Sequence, residues 1–195
     1  MNNVMKTKPI FFVLALMSMF AISSAVYGQA NFRVGPKPEL KVTGTSTLHD
    51  WEMVSTQATG EAVLLQEGGK LQGIQKLSVT MPAESLKSGK NAMDKNTYAA
   101  LDTKKHKELR FVLTDITSTG SNTWNAKGNF TIAGVTQPAS FEVRSSQSGG
   151  SYNFQGKYAF KLTDYKIDPP TALMGTVKTG NEVVIHFNLA LQPVK

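Results

Sequence analysis

Trp124-Asn-Ala-Lys-Gly-Asn-Phe-Thr-Ile132, then Ala133-Gly134, then Val135-Thr-Gln-Pro-Ala-Ser-Phe-Glu-Val143 is the stretch on which the fold turns. Apolar or small residues occupy every second position: Trp124, Ala126, Gly128, Phe130 and Ile132, then Ala139, Phe141 and Val143. Polar residues such as Asn125, Lys127, Asn129, Ser140 and Glu142 fill most of the places between. A period of two puts one set of side chains on each face of a half-buried strand. Ala133-Gly134 supplies a residue that tolerates positive φ between the two runs. The stretch therefore reads as a β-hairpin with one wet and one dry face.

The same pattern continues in both directions. Upstream lie Leu109, Phe111 and Leu113, then Leu77, Val79 and Met81, then Leu40 and Val42. Downstream, Tyr152, Phe154, Tyr158, Phe160 and Leu162 share a face, and the last run carries Val183, Ile185, Phe187, Leu189 and Leu191. Around Gly60 to Leu65 a further strand is expected, but Ala62/Leu64 and Val63/Leu65 leave its inward face open. Glu67-Gly-Gly-Lys70, Thr119-Gly-Ser-Asn122, Ser148-Gly-Gly-Ser151 and Thr179-Gly-Asn181 mark the turns. About eight strands joined by short turns predict an all-β sandwich or antiparallel barrel. One segment departs from period two. Met93, Thr97, Ala100 and Leu101 fall on one helical face, which predicts a helix over about 91–105. Asn91 is its expected cap, Asp94 its capping-box partner, and Lys104, Lys105, His106 and Lys107 its cationic end.

Residues 1–29 read as an export signal. Lys6 and Lys8 precede an apolar core from Ile10 to Ile22, and small residues Ser23, Ser24, Ala25 and Gly28 follow. The apolar run is short for a membrane-spanning helix, which needs roughly 20 residues. Residues 30–195 are then expected to form one domain outside the cytoplasm, periplasmic or secreted. The chain has no cysteine, which removes disulfides and cysteine metal ligands. Its net charge of +7 is scattered. That favours weak contact with anionic surfaces, and no dense Arg/Lys stripe with interleaved aromatics points to nucleic acid.

Gly44-Thr-Ser-Thr-Leu-His-Asp-Trp51 is the best local candidate for chemistry. His49 and Asp50 could act as an acid–base pair, but adjacent residues on a strand point to opposite faces. No Gly-x-Ser-x-Gly elbow is present. The three histidines, His49, His106 and His186, show no metal-ligand spacing. No enzyme activity, metal or cofactor is therefore expected, and an enzyme using His49 is the weakest alternative. Trp51 and the aromatics of the strands are either a filled core or the wall of an apolar pocket. Eight-stranded barrels occur in both forms.

In its motifs the chain resembles the YceI-like family. The resemblance rests on Gly44 to Trp51, on Met93-Asp94 with Tyr98-Ala-Ala-Leu101, and on Lys104-Lys-His106 followed by Glu108 to Phe111. It also rests on Gly128 to Phe130, Ile132-Ala-Gly-Val-Thr136, Leu162-Thr-Asp-Tyr165, Ile167, Pro169-Pro170, Gly175 and Lys178-Thr-Gly180. It covers roughly residues 38 to 192 and departs at Lys107, where many members carry proline. The resemblance implies an extended lipocalin-like antiparallel β-barrel that binds polyisoprenoid or other long-chain amphiphilic lipids, isoprenoid quinones among them, with no shared catalytic step. Alternation then supplies the expected pocket lining: Trp51, Leu77, Val79, Met81, Met93, Phe111, Leu113, Phe130, Phe141, Phe154, Tyr158, Phe160, Ile185 and Phe187. The expected partners are such a lipid and, transiently, a membrane surface met by Lys104, Lys105 and Lys107; a homodimer is left open. The competing reading is an envelope-stress or protein-interaction module whose barrel is filled.

Overall fold

The computed structural model describes residues 28–194. In chain order the elements are β1 (Gly28–Val34), β2 (Glu39–Ser46), β3 (Trp51–Ser55), β4 (Thr59–Glu67), β5 (Lys70–Pro82), α1 (Asn91–Ala100), β6 (Glu108–Gly120), β7 (Thr123–Ile132), β8 (Val135–Ser148), β9 (Ser151–Lys161), β10 (Thr171–Ala172) and β11 (Val177–Pro193). Strands β4 to β9 are sequential antiparallel neighbours, β9 pairs with β11, and β1 pairs with both β4 and β11. That last pairing closes a ring of eight strands. The hairpin β2–β3 stands outside the ring. It pairs along β11 from Thr179 to Asn188, beyond the point where β1 leaves that strand at Leu191.

The expected hairpin is present as β7–β8, with Ala133 and Gly134 both at positive φ. The expected leader lies outside the described residues except for Gly28 and Gln29, which begin β1 opposite Gln66 and Leu65. The open question over β4 is settled by burial: Ala62 and Leu64 face the core. Leu162, expected to continue β9, instead begins a short 3-10 turn, Leu162–Tyr165.

Two of the four register shifts in the β4–β5 and β6–β7 ladders hide apolar residues from strict alternation. On β5, Val63 pairs with Lys76 but Leu64 pairs with Ile74, so Gln75 is an extra residue. On β6, Leu113 pairs with Gly128 but Asp115 pairs with Lys127, so Thr114 is extra. Each inserted residue switches the inward set between odd and even numbers, from Ile74 to Leu77 on β5 and from Leu113 to Ile116 on β6.

The helix ends earlier than expected. Leu101 caps α1, Asp102 takes the left-handed conformation at φ 46, and the N–H groups of Asp102 and Thr103 donate to the carbonyls of Ala99 and Tyr98. This is a Schellman ending, formed without glycine, and residues 101–105 are turns. The start differs too. Lys90 is the cap residue and provides no side-chain hydrogen bond, and Asn91 is the first helical residue. Asp94 reaches back past the cap to Ser88, whose backbone N–H and hydroxyl donate to its Oδ1 at 2.8 and 2.6 Å.

Strands β8 and β9 are paired only from Val143↔Gly156 to Ser148↔Ser151. Beyond the fork β8 pairs with β7 alone, and β9 pairs with β11 alone. Aromatic rings fill the space between them. Tyr158 stacks on Phe130 at 5.0 Å between centroids and lies 5.7 Å from Phe141. Gln137 bridges the far end by donating to the Asp164 carbonyl at 2.7 Å.

Candidate lipid site

The inward side chains of the ring, with Leu40 of β2, enclose a cavity of about 90 Å³. It is lined by Leu40, Ile74, Leu77, Val79, Phe111, Leu113, Ile116, Ala126, Phe130, Phe141, Val143, Phe154, Ile185, Phe187, Leu189 and Leu191. Every one of these is apolar, so the space offers no hydrogen bond and no charge to a guest. A cavity of this character stays dry and accepts hydrocarbon. Phe111, Phe130, Phe141 and Phe187 crowd its wall, with neighbouring centroids 4.7 to 6.0 Å apart.

A second chamber, about 290 Å³, lies under α1. Ser46, His49 and Trp51 from the β2–β3 hairpin line it, with Lys90, Met93, Asn96, Thr97, Ala100 and Leu101 around the helix and Leu162, Ile167, Thr171, Ala172, Val177 and Thr179 opposite. The two spaces share no lining residue. A packed cluster containing Ile132, Tyr165, Ile167, Ile185, Phe130, Phe160 and Leu101 stands between them. Tyr165 in that cluster is buried, and its hydroxyl has no hydrogen-bond partner among the described residues. Burial holds its pKa well above the ordinary value, and the nearby Tyr158 hydroxyl adds to the rise.

The Gly44–Trp51 motif builds the rim of this chamber. Gly44 and Trp51 face each other across β2 and β3, and the indole lies directly over the glycine. A Cβ at Gly44 would come within 2.3 Å of the indole ring. Trp51 donates from Nε1 to the Thr45 carbonyl at 2.9 Å. Ser46 ties the turn: its hydroxyl donates to the His49 carbonyl at 2.7 Å and accepts from the N–H groups of Leu48 and His49. The His49 ring, exposed, meets only the Asp50 backbone carbonyl, at 2.7 Å from Nδ1. His49 and Asp50 are thus not joined through their side chains. His106 packs on Gly134, and His186 meets the Thr43 hydroxyl at 3.2 Å in an outer groove of the sheet. No group of three metal-holding side chains exists among the described residues.

That outer groove, about 1110 Å³, runs over β8, β9, β11 and β2, with charged residues such as Lys41, Glu142, Arg144 and Lys157 along it and aromatic rings in its floor. Its floor includes Phe141, Tyr158 and Phe187, so Phe141 and Phe187 have one side toward the groove and the other toward the inner cavity.

Of the side chains expected from alternation, Leu77, Val79, Phe111, Leu113, Phe130, Phe141, Phe154, Ile185 and Phe187 meet around the inner cavity. Trp51 and Met93 line the chamber under α1 instead. Tyr158 borders the outer groove, while Met81 and Phe160 line none of the three spaces and pack in the clusters beside the two inner ones. Ile74 and Ile116 were missed because the bulges hide them from strict alternation. Leu40, Ala126, Val143, Leu189 and Leu191 sit on faces the pattern marks as apolar. Lys104, Lys105 and Lys107 line neither space; Lys105 pairs with Asp102 at 3.0 Å, and the lysine at the chamber is Lys90.

A ring of eight antiparallel strands around an apolar interior, with one helix at its end, defines a lipocalin-like barrel. The model of the YceI-like domain matches residues 30–191, and the chain belongs to that family. Among its relatives is a UPF0312 protein of Pseudomonas putida, 34% identical over 110 residues, which are 52% of this chain and 57% of that protein. A UPF0312 protein of Ectopseudomonas mendocina is 33% identical over 100 residues, 47% of this chain and 52% of that protein. The matches thus span little more than half the length of these relatives. Two solved structures share the fold. BcnA of Burkholderia cenocepacia has a TM-score of 0.67 at 19% identity, covering 79% of this chain and 96% of its own. A polyisoprenoid binding domain from Saccharophagus degradans has a TM-score of 0.65 at 9% identity, covering 86% and 100%.

Proposed function

We propose that the protein binds a polyisoprenoid or similar long-chain amphiphile, with the tail among the inward side chains of the ring and the polar end at the chamber under α1. The observation that carries this reading is the wholly apolar lining of the inner cavity. Membership of the YceI-like family and the fold shared with a polyisoprenoid binding domain support it further. An isoprenoid tail has nothing to hydrogen-bond, and each buried CH₂ contributes roughly 0.8 kcal/mol. A few units therefore hold without any polar anchor, less the cost of ordering the tail. The reading is non-catalytic: His49, the best acid–base candidate, has only a backbone contact. It also places the protein outside the cytoplasm, on the strength of the leader-like residues 1–29.

One observation favours a filled barrel serving protein contacts. The cavity of about 90 Å³ is smaller than the ~150 Å³ void that takes up a single benzene. A tail must therefore displace side chains. Native mass spectrometry of the protein from its own host, followed by solvent extraction, separates the two readings. A co-purifying long-chain lipid, or stoichiometric uptake of an isoprenoid quinone by stripped protein, is expected. A bare mass that persists after incubation with quinone would defeat the lipid reading.

A further inference from the structure

The large apolar side chains most exposed among the described residues are Met174, Leu173, Leu48 and Val194. Three of the four occupy two adjoining turns. Leu48 is 67% exposed at the tip of the β2–β3 turn, and Leu173 and Met174 are 72% and 109% exposed in the turn between β10 and β11. Hydrogen bonds tie the turns together: Thr47 N–H donates to the Lys178 carbonyl at 3.0 Å, Lys178 N–H to the Thr47 hydroxyl at 3.1 Å, and that hydroxyl to the Thr176 carbonyl at 3.3 Å.

The second turn is costly in two ways. Leu173, Met174 and Gly175 all lie in the left-handed region, at φ 50, 53 and 86. Glycine accepts this conformation freely, whereas bulky residues do not. Asparagine or glycine would relieve the backbone and also remove the exposed apolar surface. A strained backbone that displays leucine and methionine to water is the kind of feature found at working sites. The turn is held in shape by N–H donation from Gly175 to the Ala172 carbonyl at 3.1 Å and from Thr176 to the Leu173 carbonyl at 3.2 Å.

The tips stand at the mouth of the chamber under α1. Ser46 and His49, which flank the Leu48 tip, line that chamber, as do Ala172 and Val177, which flank the other. Lys90 lines it as well, and Lys178 is exposed beside the turn. We propose that Leu48, Leu173 and Met174 form a membrane-docking rim that dips into an anionic bilayer surface and presents the chamber to a lipid there. Apolar tips with lysines behind them match the layering of acyl chains beneath anionic headgroups. Three protruding side chains are too few for a stable interface with a second copy, which needs roughly 1,200 Å² or more of buried surface. The proposal rests on the lipid-binding reading and gives it a direction of approach.

The test compares the wild type with L173N/M174N and with L48N. Asparagine suits the left-handed backbone, so the double variant should fold at least as well, as circular dichroism would verify. Vesicles of phosphatidylglycerol and phosphatidylethanolamine are co-sedimented with each protein, and quinone uptake is measured separately from detergent micelles. Vesicle binding should fall about tenfold or more in the double variant and less in L48N, with uptake from micelles unchanged. Equal sedimentation of wild type and variants, or none by the wild type, would overturn the rim. A wild-type dimer that the double variant dissolves would overturn it in favour of self-association. Tip-dependent vesicle binding without quinone uptake would instead overturn the lipid-cargo reading and leave the docking surface standing.

Discussion

Asp94 is the one buried carboxylate among the described residues. It holds the segment before α1 by accepting from both the Ser88 hydroxyl and the Ser88 backbone N–H, and Lys87 stands 4.0 Å away. These hydrogen bonds, aided by the lysine charge, outweigh burial and hold its pKa below the ordinary carboxylate value. The fold therefore favours the ionised form. Its contribution is complete above the unfolded value of about 3.9 and fades as pH falls through the lower folded value. Asp94→Ala should destabilise the protein at neutral pH by about 1.5–3 kcal/mol, the range for hydrogen bonds to charged groups. Urea unfolding at several pH values checks this: the gap between wild type and variant should narrow as pH falls below about 4. A gap independent of pH would mean that the side chain acts through packing alone. Sequence spacing drew attention to Asp94 but gave it the wrong partner, because a capping box is local and Ser88 lies on the far side of the cap.

Among the elements, the fork between β8 and β9 has the clearest consequence for ligand uptake. Past Gly156 the two strands have no mutual pairing, and rings rather than hydrogen bonds close the wall. Gly156 allows this junction: a Cβ there would lie 2.6 Å from the Phe187 ring and 2.7 Å from the Glu142 carbonyl. Since Phe141 and Phe187 border both the groove and the inner cavity, widening at the fork costs side-chain packing but breaks no β8–β9 ladder. The cysteine-free chain permits a clean test. Glu142→Cys with Lys157→Cys, joined by a short bis-maleimide, should load isoprenoid quinone several-fold more slowly than the same variant left unjoined. Equal loading would place the widening elsewhere. Alternation made the strands and their apolar faces legible, because a period of two survives wherever the ladder is regular. It could not reveal the fork, since Phe141 and Tyr158 keep their pattern whether or not their strands pair. Nor could it reveal the bulges at Thr114 and Gln75, where one inserted residue reverses the inward set. β1 escaped notice because Gly28-Gln-Ala-Asn-Phe-Arg-Val34 buries only Phe32.

At the scale of the whole molecule, the two spaces pose a single problem of volume. A tail that reaches from the inner cavity to the chamber under α1 must part the cluster holding Ile185, Phe130, Phe160 and Tyr165. That rearrangement draws on the binding free energy, so affinity will be lower than buried CH₂ groups alone suggest. The closure of the ring is also uneven. β1 pairs with β11 through Phe32↔Pro193, Arg33↔Gln192 and Val34↔Leu191, while its pairing with β4 runs from Gly28 to Arg33. A guest in contact with Leu191 would brace the β11 side of this seam from within. Binding should therefore stabilise the native state by linkage, about 2.7 kcal/mol at a free ligand concentration one hundred times Kd. For a domain of this size that raises Tm by about 5–10 °C. Because the inner lining is wholly apolar, a headless hydrocarbon of matching length should raise Tm nearly as far as the quinone when both are given at equal saturation. Calorimetry of stripped protein titrated with each ligand would measure this. A shift with the quinone and none with the hydrocarbon would move the main binding contacts from the ring's interior to the polar rim under α1.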